Sequence, residues 1–439
     1  MELIRTILWT FILLALWMPA TGTGLLANVA TTDITPPAEM KYALGGYGER
    51  MSQPAEGIHD PIYAKALVLK KDTLKYALVT LDLLGLPSNV KMDLVSRISA
   101  HGWNMDNIML LPSHSHGSLE MAALNSRNLL NIPQIGIYQP ELLAFFMDKL
   151  EALILEADRD HQPVKVGTKS RMIDGLNRNR RNDPESDEEL LVTRIDLVNG
   201  KPLAALVNWT AHPTITGSRD MLLSAEWPGY LQKELQDRIG NGVTVMYYNG
   251  AVGDQSVVLK EPGTNYERLR LYGRKIAPLA FDLYREIIPA GNVALGYNYS
   301  RVSLPTQTAH PQFMNTGGDE YGMDENSVKV VMKTLFPEST AIGALQLGDL
   351  LIVGVPGEMT APLGLMVKRR LKESGASYVA IGGLANEWIS YILTRDQYAR
   401  GGYESSVSFY GDSLGEIISG VMIQTALPLA KGLKQTSDN

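Results

Sequence analysis

The stretch LPSHSHGSLE, residues 111–120, sets two histidines one residue apart among hydroxyl and glycine residues, directly after the apolar run from Ile108 to Leu111. In an extended segment side chains alternate faces, so His114 and His116 would turn their rings to the same side. Two imidazoles do not complete a catalytic metal site, because zinc in that role takes three or more protein ligands and keeps a position for water. The chain has no cysteine, so no thiolate binds metal or acts as a nucleophile and no disulfide staples the fold. The missing donors must be histidine, carboxylate or another oxygen.

Four further apolar runs end in reactive or turn-forming clusters: AALVNWTAHPT, VTVMYYNGAVGDQS, LLIVGVPGEM and YVAIGGLANEW. Open α/β sheets bind ligands where strands end and loops meet. His114, His116, His212, Asp254, Ser256, Glu358 and Asn386 could therefore converge. Each has a plainer reading. His212, before Pro213, could be a capped loop residue; Glu358 could be a carboxylate offsetting a helix dipole, and Asp254 could only fix a turn. Taken together they point to a metal hydrolase, because the chain holds only seven histidines and three of them directly follow strand-like runs.

These residues must be positioned by regular elements. Strands are expected at 63–70, 76–82, 107–111, 191–198, 203–209, 243–248, 341–347, 350–355 and 378–383. Helices are expected at 89–100, 140–157, 228–239, 266–287, 361–374 and 413–427. The alternation predicts an α/β fold, with mixed sheets covered by helices in a single large catalytic domain. The polar segments 177–189 and 312–325 read as loops or lids. With 439 residues, 45% hydrophobic and 20% charged, the chain can bury a large core. A net charge of −7 gives no basic footprint for nucleic acid. Residues 1–24 carry Arg5, then an apolar stretch to about Ala20, then small residues, the pattern of a secretory signal cut between Ala20 and Ala27. The protein is expected to be secreted or periplasmic. An uncleaved anchor is the alternative, although the stretch is short of the roughly 20 residues that span a bilayer.

In this order, HSHG, AHPT, GAVGDQS, VPGE and NEWISYILTRDQYARGGYESSVSFYG resemble the catalytic domain of the neutral ceramidases, zinc enzymes that hydrolyse the amide bond of ceramide. The resemblance runs from about Asn28 to Leu427 and includes AEGIHDPIYAKALVL and GLNRNR. It implies a hydrolase domain over 28–432 that binds Zn²⁺ through His114, His212, Glu358 and Tyr391. It also implies substrate-side roles for His116, Arg178 and Tyr403, with Ser256 beside the metal as a nucleophile or a water-orienting group. The expected partner is a lipid or another small N-acyl substrate, with peripheral membrane contact compatible with it.

The chain departs from the family pattern at Val257, where a proline is usual, and in the GGDEYG segment, and no C-terminal immunoglobulin-like domain is expected. These departures leave the proposed zinc ligands intact and bear on the substrate pocket. A different amide, ester or lactone substrate is the second reading, and a noncatalytic binding protein the third.

Overall fold

In the computed structural model, which describes residues 24–437, apolar runs become strands buried on both faces. Ile108–Pro112, Leu350–Gly354 and Tyr378–Gly382 carry almost no polar side chain and are buried along nearly their whole length. Continuous Val, Ile and Leu runs of this kind suit strands covered on both sides. The expected signal peptide lies almost wholly outside the described residues. Leu25 is fully buried and a strand begins at Leu26, so cleavage at the late end of the expected window would cut into packed residues.

Eight strands form the first sheet, in the order Thr244–Tyr248, Pro202–Asn208, Glu189–Leu197, Gln162–Met172, Leu26–Asp33, Tyr63–Lys71, Leu74–Leu81 and Ile108–Pro112. Its two outermost pairs are parallel and the rest antiparallel. The sheet curls until its edges meet. Lys65, on an inner strand, donates to the carbonyl of Val245 on the edge strand at 2.7 Å. At the end of that edge strand, Asn249 donates to Ser113 O and Ala211 O, both at 3.1 Å. One buried amide thus ties together the two loops that carry the histidines.

A second sheet, in the order Leu295–Ser303, Ser339–Leu347, Leu350–Gly354 and Tyr378–Gly382, docks on the first. Leu111, Met246, Leu345, Ile352 and Ala380 share one apolar cluster between the sheets, which makes them one body. Asn386 fixes the join by exchanging two hydrogen bonds with the backbone of Leu110. Helices cover the outer faces. Pro140–Ala157 buries Leu143, Phe146, Met147, Leu150 and Ile154, spaced to form one helical stripe, against Leu26–Asp33 and Tyr63–Lys71. The fold is the mixed α/β architecture expected, with every expected strand and helix present to within a few residues, except that the last helix, Leu414–Ser437, runs well past its expected end.

Three long strands escape the sequence reading, besides short ones of two or three residues such as Asn177–Asn179 in the expected loop 177–189. Gln162–Met172 and Leu295–Ser303 are partly exposed and polar, and Leu26–Asp33 adjoins the signal-like segment. The segment 312–325 is largely helical, with a turn at Phe313–Asn315 and a short helix at Gly317–Tyr321. A further helix, Glu325–Leu335, follows; it was not expected, and Asp324 and Ser327 cap it reciprocally.

Asn249→Ala should destabilise the protein by about 2–4 kcal/mol, since two buried carbonyls lose their donor. Denaturant unfolding measures this, and a loss below about 1 kcal/mol would show that the loops are held elsewhere.

Candidate metal and catalytic site

Four chain segments reach one pole from the ends of buried strands. His114 follows Ile108–Pro112, His212 follows Pro202–Asn208, Glu358 follows Leu350–Gly354, and Tyr391 lies beyond Tyr378–Gly382. The segment at His114 is not extended. His114 sits in the left-handed region with φ of 69°, a conformation costly for a side chain with a Cβ. The rings of His114 and His116 nonetheless meet, Nε2 to Nε2 at 3.3 Å, because a turn brings them together, not strand alternation.

The tautomers follow from the backbone. His114 Nδ1 lies 2.7 Å from Leu84 O, and His212 Nδ1 lies 3.1 Å from Gln255 O. A carbonyl only accepts, so each Nδ1 carries a proton and each Nε2 is turned toward the cluster. Both Nε2 atoms face the same oxygen, Glu358 Oε2, at 3.2 Å and 3.0 Å. Burial, with Arg180 next in importance, brings the pKa of His212 down to about 4. Burial and the other two histidines hold His116 well below its usual range. Burial alone would raise Glu358, but His114 and His212 more than offset it, and its carboxyl stays ionised. Imidazole nitrogens and a carboxylate thus converge on one point, an arrangement a cation would satisfy.

The donor set fits one. One ring nitrogen from each of His114, His116 and His212 lies within 4.8 Å of the others. Nε2 of His114 and of His212 stand 3.2 Å and 3.0 Å from Glu358 Oε2, close enough for one ion to be shared by all three. Hydrogen bonds from Nδ1 to carbonyls orient two of the rings, as is common around bound metals. Trp388 Nε1 donates to the second oxygen of Glu358 at 2.8 Å.

Tyr391 pairs in register with Glu358 across a two-residue parallel ribbon, which puts both side chains on one face. Its hydroxyl accepts a hydrogen bond from Arg180 at 3.0 Å. Burial, and then the charge of Glu358, push the phenol well above its usual pKa. Arg180 also donates to Gly253 O and pairs with Glu404 at 2.7 Å. Tyr403 stands edge-on to Tyr391, with ring centres 6.0 Å apart.

Arg178 is expected here; in the structure it is Arg180 whose guanidinium reaches the Tyr391 hydroxyl. Arg178 is exposed in the ribbon Asn177–Asn179, directly opposite Ser256, and alternation sends the side chains flanking it inward. Ser256 adjoins His212 through a backbone bridge, but its half-buried side chain shares the face of Arg178, and neither lines the cavity described below. Asp254 has the plainer role: its carboxylate accepts from Ala361 N at the start of helix Ala361–Glu373. The helix-terminal role weighed for Glu358 thus belongs to Asp254. Sequence reasoning missed Arg50, a buried guanidinium that donates to the carbonyls of Gly45, His116, Gly217 and Asp220 and carries the turn that holds His116. No motif marked it.

A cavity opens from these residues. His114, His116, Glu358, Tyr391 and Tyr403 line one end, and Met121, Phe313, Met332, Phe336, Trp388 and Phe409 give it apolar walls. Three histidines and a carboxylate that could hold a metal ion thus stand at the end of an apolar cleft. The family model for neutral/alkaline non-lysosomal ceramidase, N-terminal, matches residues 26–230 and 324–417, and the chain belongs to that family. It is 21% identical to the neutral ceramidase of Pseudomonas aeruginosa, over 92% of this chain and 72% of that one. It is likewise 21% identical to neutral ceramidase B of Dictyostelium discoideum, over 86% and 68%. The crystal structure of the Pseudomonas aeruginosa neutral ceramidase superposes with a TM-score of 0.79 at 20% identity, over 93% of this chain and 75% of that one, which shows a shared fold.

Titrating a divalent transition metal into chelator-treated protein should raise its melting temperature, as a ligand of the native state alone adds about 2.7 kcal/mol at one hundred times its dissociation constant. His212→Ala should abolish the rise. A rise of equal size in that variant would place the metal elsewhere.

Proposed function

We propose that the protein is a zinc-dependent amidohydrolase that cleaves the N-acyl amide bond of ceramide or a related N-acyl lipid. The observation that carries this reading is the convergence of His114, His212, Glu358 and Tyr391 at the polar end of an apolar cavity. Family membership supports the amide chemistry, and the structure of a relative described as a ceramidase complexed with C2 superposes with a TM-score of 0.77 at 18% identity, covering 93% of this chain and 76% of that one. The absence of thiolates favours zinc held by nitrogen and oxygen donors. On this reading His114, His212, Glu358 and Tyr391 hold the ion. When bound, it supplies Lewis-acid polarisation of a carbonyl and acidifies a water molecule.

The side chains around it do the rest. His116, kept neutral by burial with its Nε2 3.3 Å from that of His114, takes a proton from the attacking water and returns it to the leaving amine. Arg180 is fixed by Glu404 and Gly253 O, so its guanidinium is a preorganised charge beside the reacting carbonyl. The Tyr403 hydroxyl, at the cavity wall, supplies a further donor. Ser256, beside His212 in the backbone but turned to the face of Arg178, takes no direct part in the step. An exported location follows from the N-terminal pattern of residues 1–24, and no described helix is long and apolar enough to cross a membrane.

A second reading, a different N-acyl amide, ester or lactone, is favoured by Glu120. Burial raises this cavity-lining carboxyl to about pKa 7, and such a group suits a substrate with a hydroxyl or amine more than a plain alkyl chain.

The test combines metal analysis, a panel of N-acyl substrates and paired variants. Wild type should carry about one zinc per chain and lose activity to a strong chelator. His114→Ala should lose the metal, whereas His116→Ala should keep it and turn over roughly 10²-fold more slowly. Arg180→Ala should lower kcat/KM by roughly 10²- to 10³-fold, the range for one lost oxyanion donor, while Arg178→Ala stays near wild type. Full activity in metal-free protein would overturn the mechanism, and the reverse order of the two arginine variants would return the role to Arg178.

A further inference from the structure

The segment 126–138, SRNLLNIPQIGIY, has one charged residue and six large aliphatic or aromatic ones. It forms a closed loop: Asn128 donates from its side chain to Gly136 O at 2.9 Å, and Ile135 and Gly136 return their amides to Ile132 O. The ends are thus pinned, and Leu129 is left 75% exposed. Compact loops of this kind, closed at the base and displayed on the surface, are often functional.

Its position gives it meaning. Gln134 and Ile135 line the cavity. At one foot Arg127 donates to Ser88 and to Leu335 O, and both partners also line the cavity. Ser52 donates to Pro133 O at 2.7 Å, which brings the turn at Met51 alongside. Helix Glu325–Leu335 turns Val328, Val331 and Met332 into the cavity and leaves Val330 54% exposed between Lys329 and Lys333. Exposed apolar residues therefore stand on the segments that line the cavity, Met51, Leu129, Ile137 and Val330, with Arg127, Lys329 and Lys333 beside them in the chain.

We propose that this rim is a lipid-surface docking site. Leu129 and its loop enter the headgroup and acyl boundary of a bilayer, and the cations meet anionic headgroups, so that the cavity opens directly onto membrane lipid. The proposal rests on the lipid-hydrolase reading for its use but not for its measurement. What commits it to a lipid surface and not a second copy is the continuity of the apolar rim with the apolar cavity wall, together with flanking basic side chains long enough to reach headgroups while their stems stay in the interface.

The experiment floats the metal-loaded full chain with vesicles of phosphatidylcholine containing one part in five phosphatidylglycerol, for wild type, Leu129→Asp and Leu129→Phe. In parallel, a short-chain, water-soluble N-acyl substrate is hydrolysed without vesicles. Wild type should float with the vesicles. Leu129→Asp should partition roughly tenfold or more weakly, as expected for losing a buried leucine and burying a charge. Leu129→Phe should bind as well as wild type, and all three should turn over the soluble substrate alike. Wild type that stays with the soluble fraction, or Leu129→Asp that floats as wild type does, would overturn the proposal. A dimer in light scattering that Leu129→Asp dissolves would overturn it too, by assigning the patch to a second copy. Should no N-acyl substrate be hydrolysed, the functional reading fails while the flotation result stands by itself.

Discussion

The ionised carboxylate of Glu358, buried among imidazoles whose Nε2 atoms point at it, is the constraint on which the architecture turns. Removing a carboxylate from water costs several kcal/mol even after relaxation. Trp388 offsets part of that cost at one oxygen. At the other oxygen His114 and His212 stand at 3.2 Å and 3.0 Å and offset more of it. Holding these buried groups at that spacing requires a stiff frame. The curled sheet provides it by bringing its two edges, and the loops beyond them, to a single amide at Asn249.

The same pole stores backbone strain. His114, Asn386 and Ser390 all have positive φ without being glycine. Each such residue costs on the order of 1–3 kcal/mol and survives only where its surroundings over-determine it. Asn386 is held by paired bonds to Leu110, and His114 by its amide to Leu83 O and its ring to Leu84 O. Close backbone approach adds a second requirement. A Cβ on Gly253 would lie 2.5 Å from Glu358 O, and one on Gly357 would lie 2.5 Å from Ser390 O. These glycines let the ribbon carrying Glu358 and Tyr391 press against the loop after Thr244–Tyr248, which brings Arg180 and the phenol within hydrogen-bonding reach.

What could be read in advance was the ends of fully buried strands. There the hydrophobic run is unbroken, and the residue that stops it is chemically distinctive, as with His114, His212 and Glu358. Arg180 was not legible, because in the sequence NRNRR two Asn-Arg pairs overlap and only the pairing of Gln255 with Asn179 and Ser256 with Arg178 decides which arginine turns inward. A shift of one residue in a ribbon inverts its faces, whereas two overlapping pairs share a face in principle, so the end of the strand at Asn179 is what separates them. Arg50 escaped for another reason: its partners are four carbonyls from three loops, two of them distant in the chain, and carbonyls leave no sequence trace. The polar segment 312–325 looked like a lid because its apolar residues, Phe313, Met314, Tyr321 and Met323, are spaced by glycines and acids.

That segment bears on how chemistry and selectivity divide in this molecule. The proposed donors, His114, His212, Glu358 and Tyr391, all fall within the spans that match the family model, 26–230 and 324–417. Phe313 and Tyr321, which line the cavity, fall in the stretch between those spans. The metal end is constrained by lone pairs, strain and glycine contacts that tolerate little change. The far wall is built from apolar side chains on short helices, where volume-conserving swaps cost less than about 1.5 kcal/mol. Substrate shape can therefore drift while the bond that is cut stays the same, and Glu120, a carboxyl set into the cavity wall immediately after the histidine turn, is where such a drift would register first.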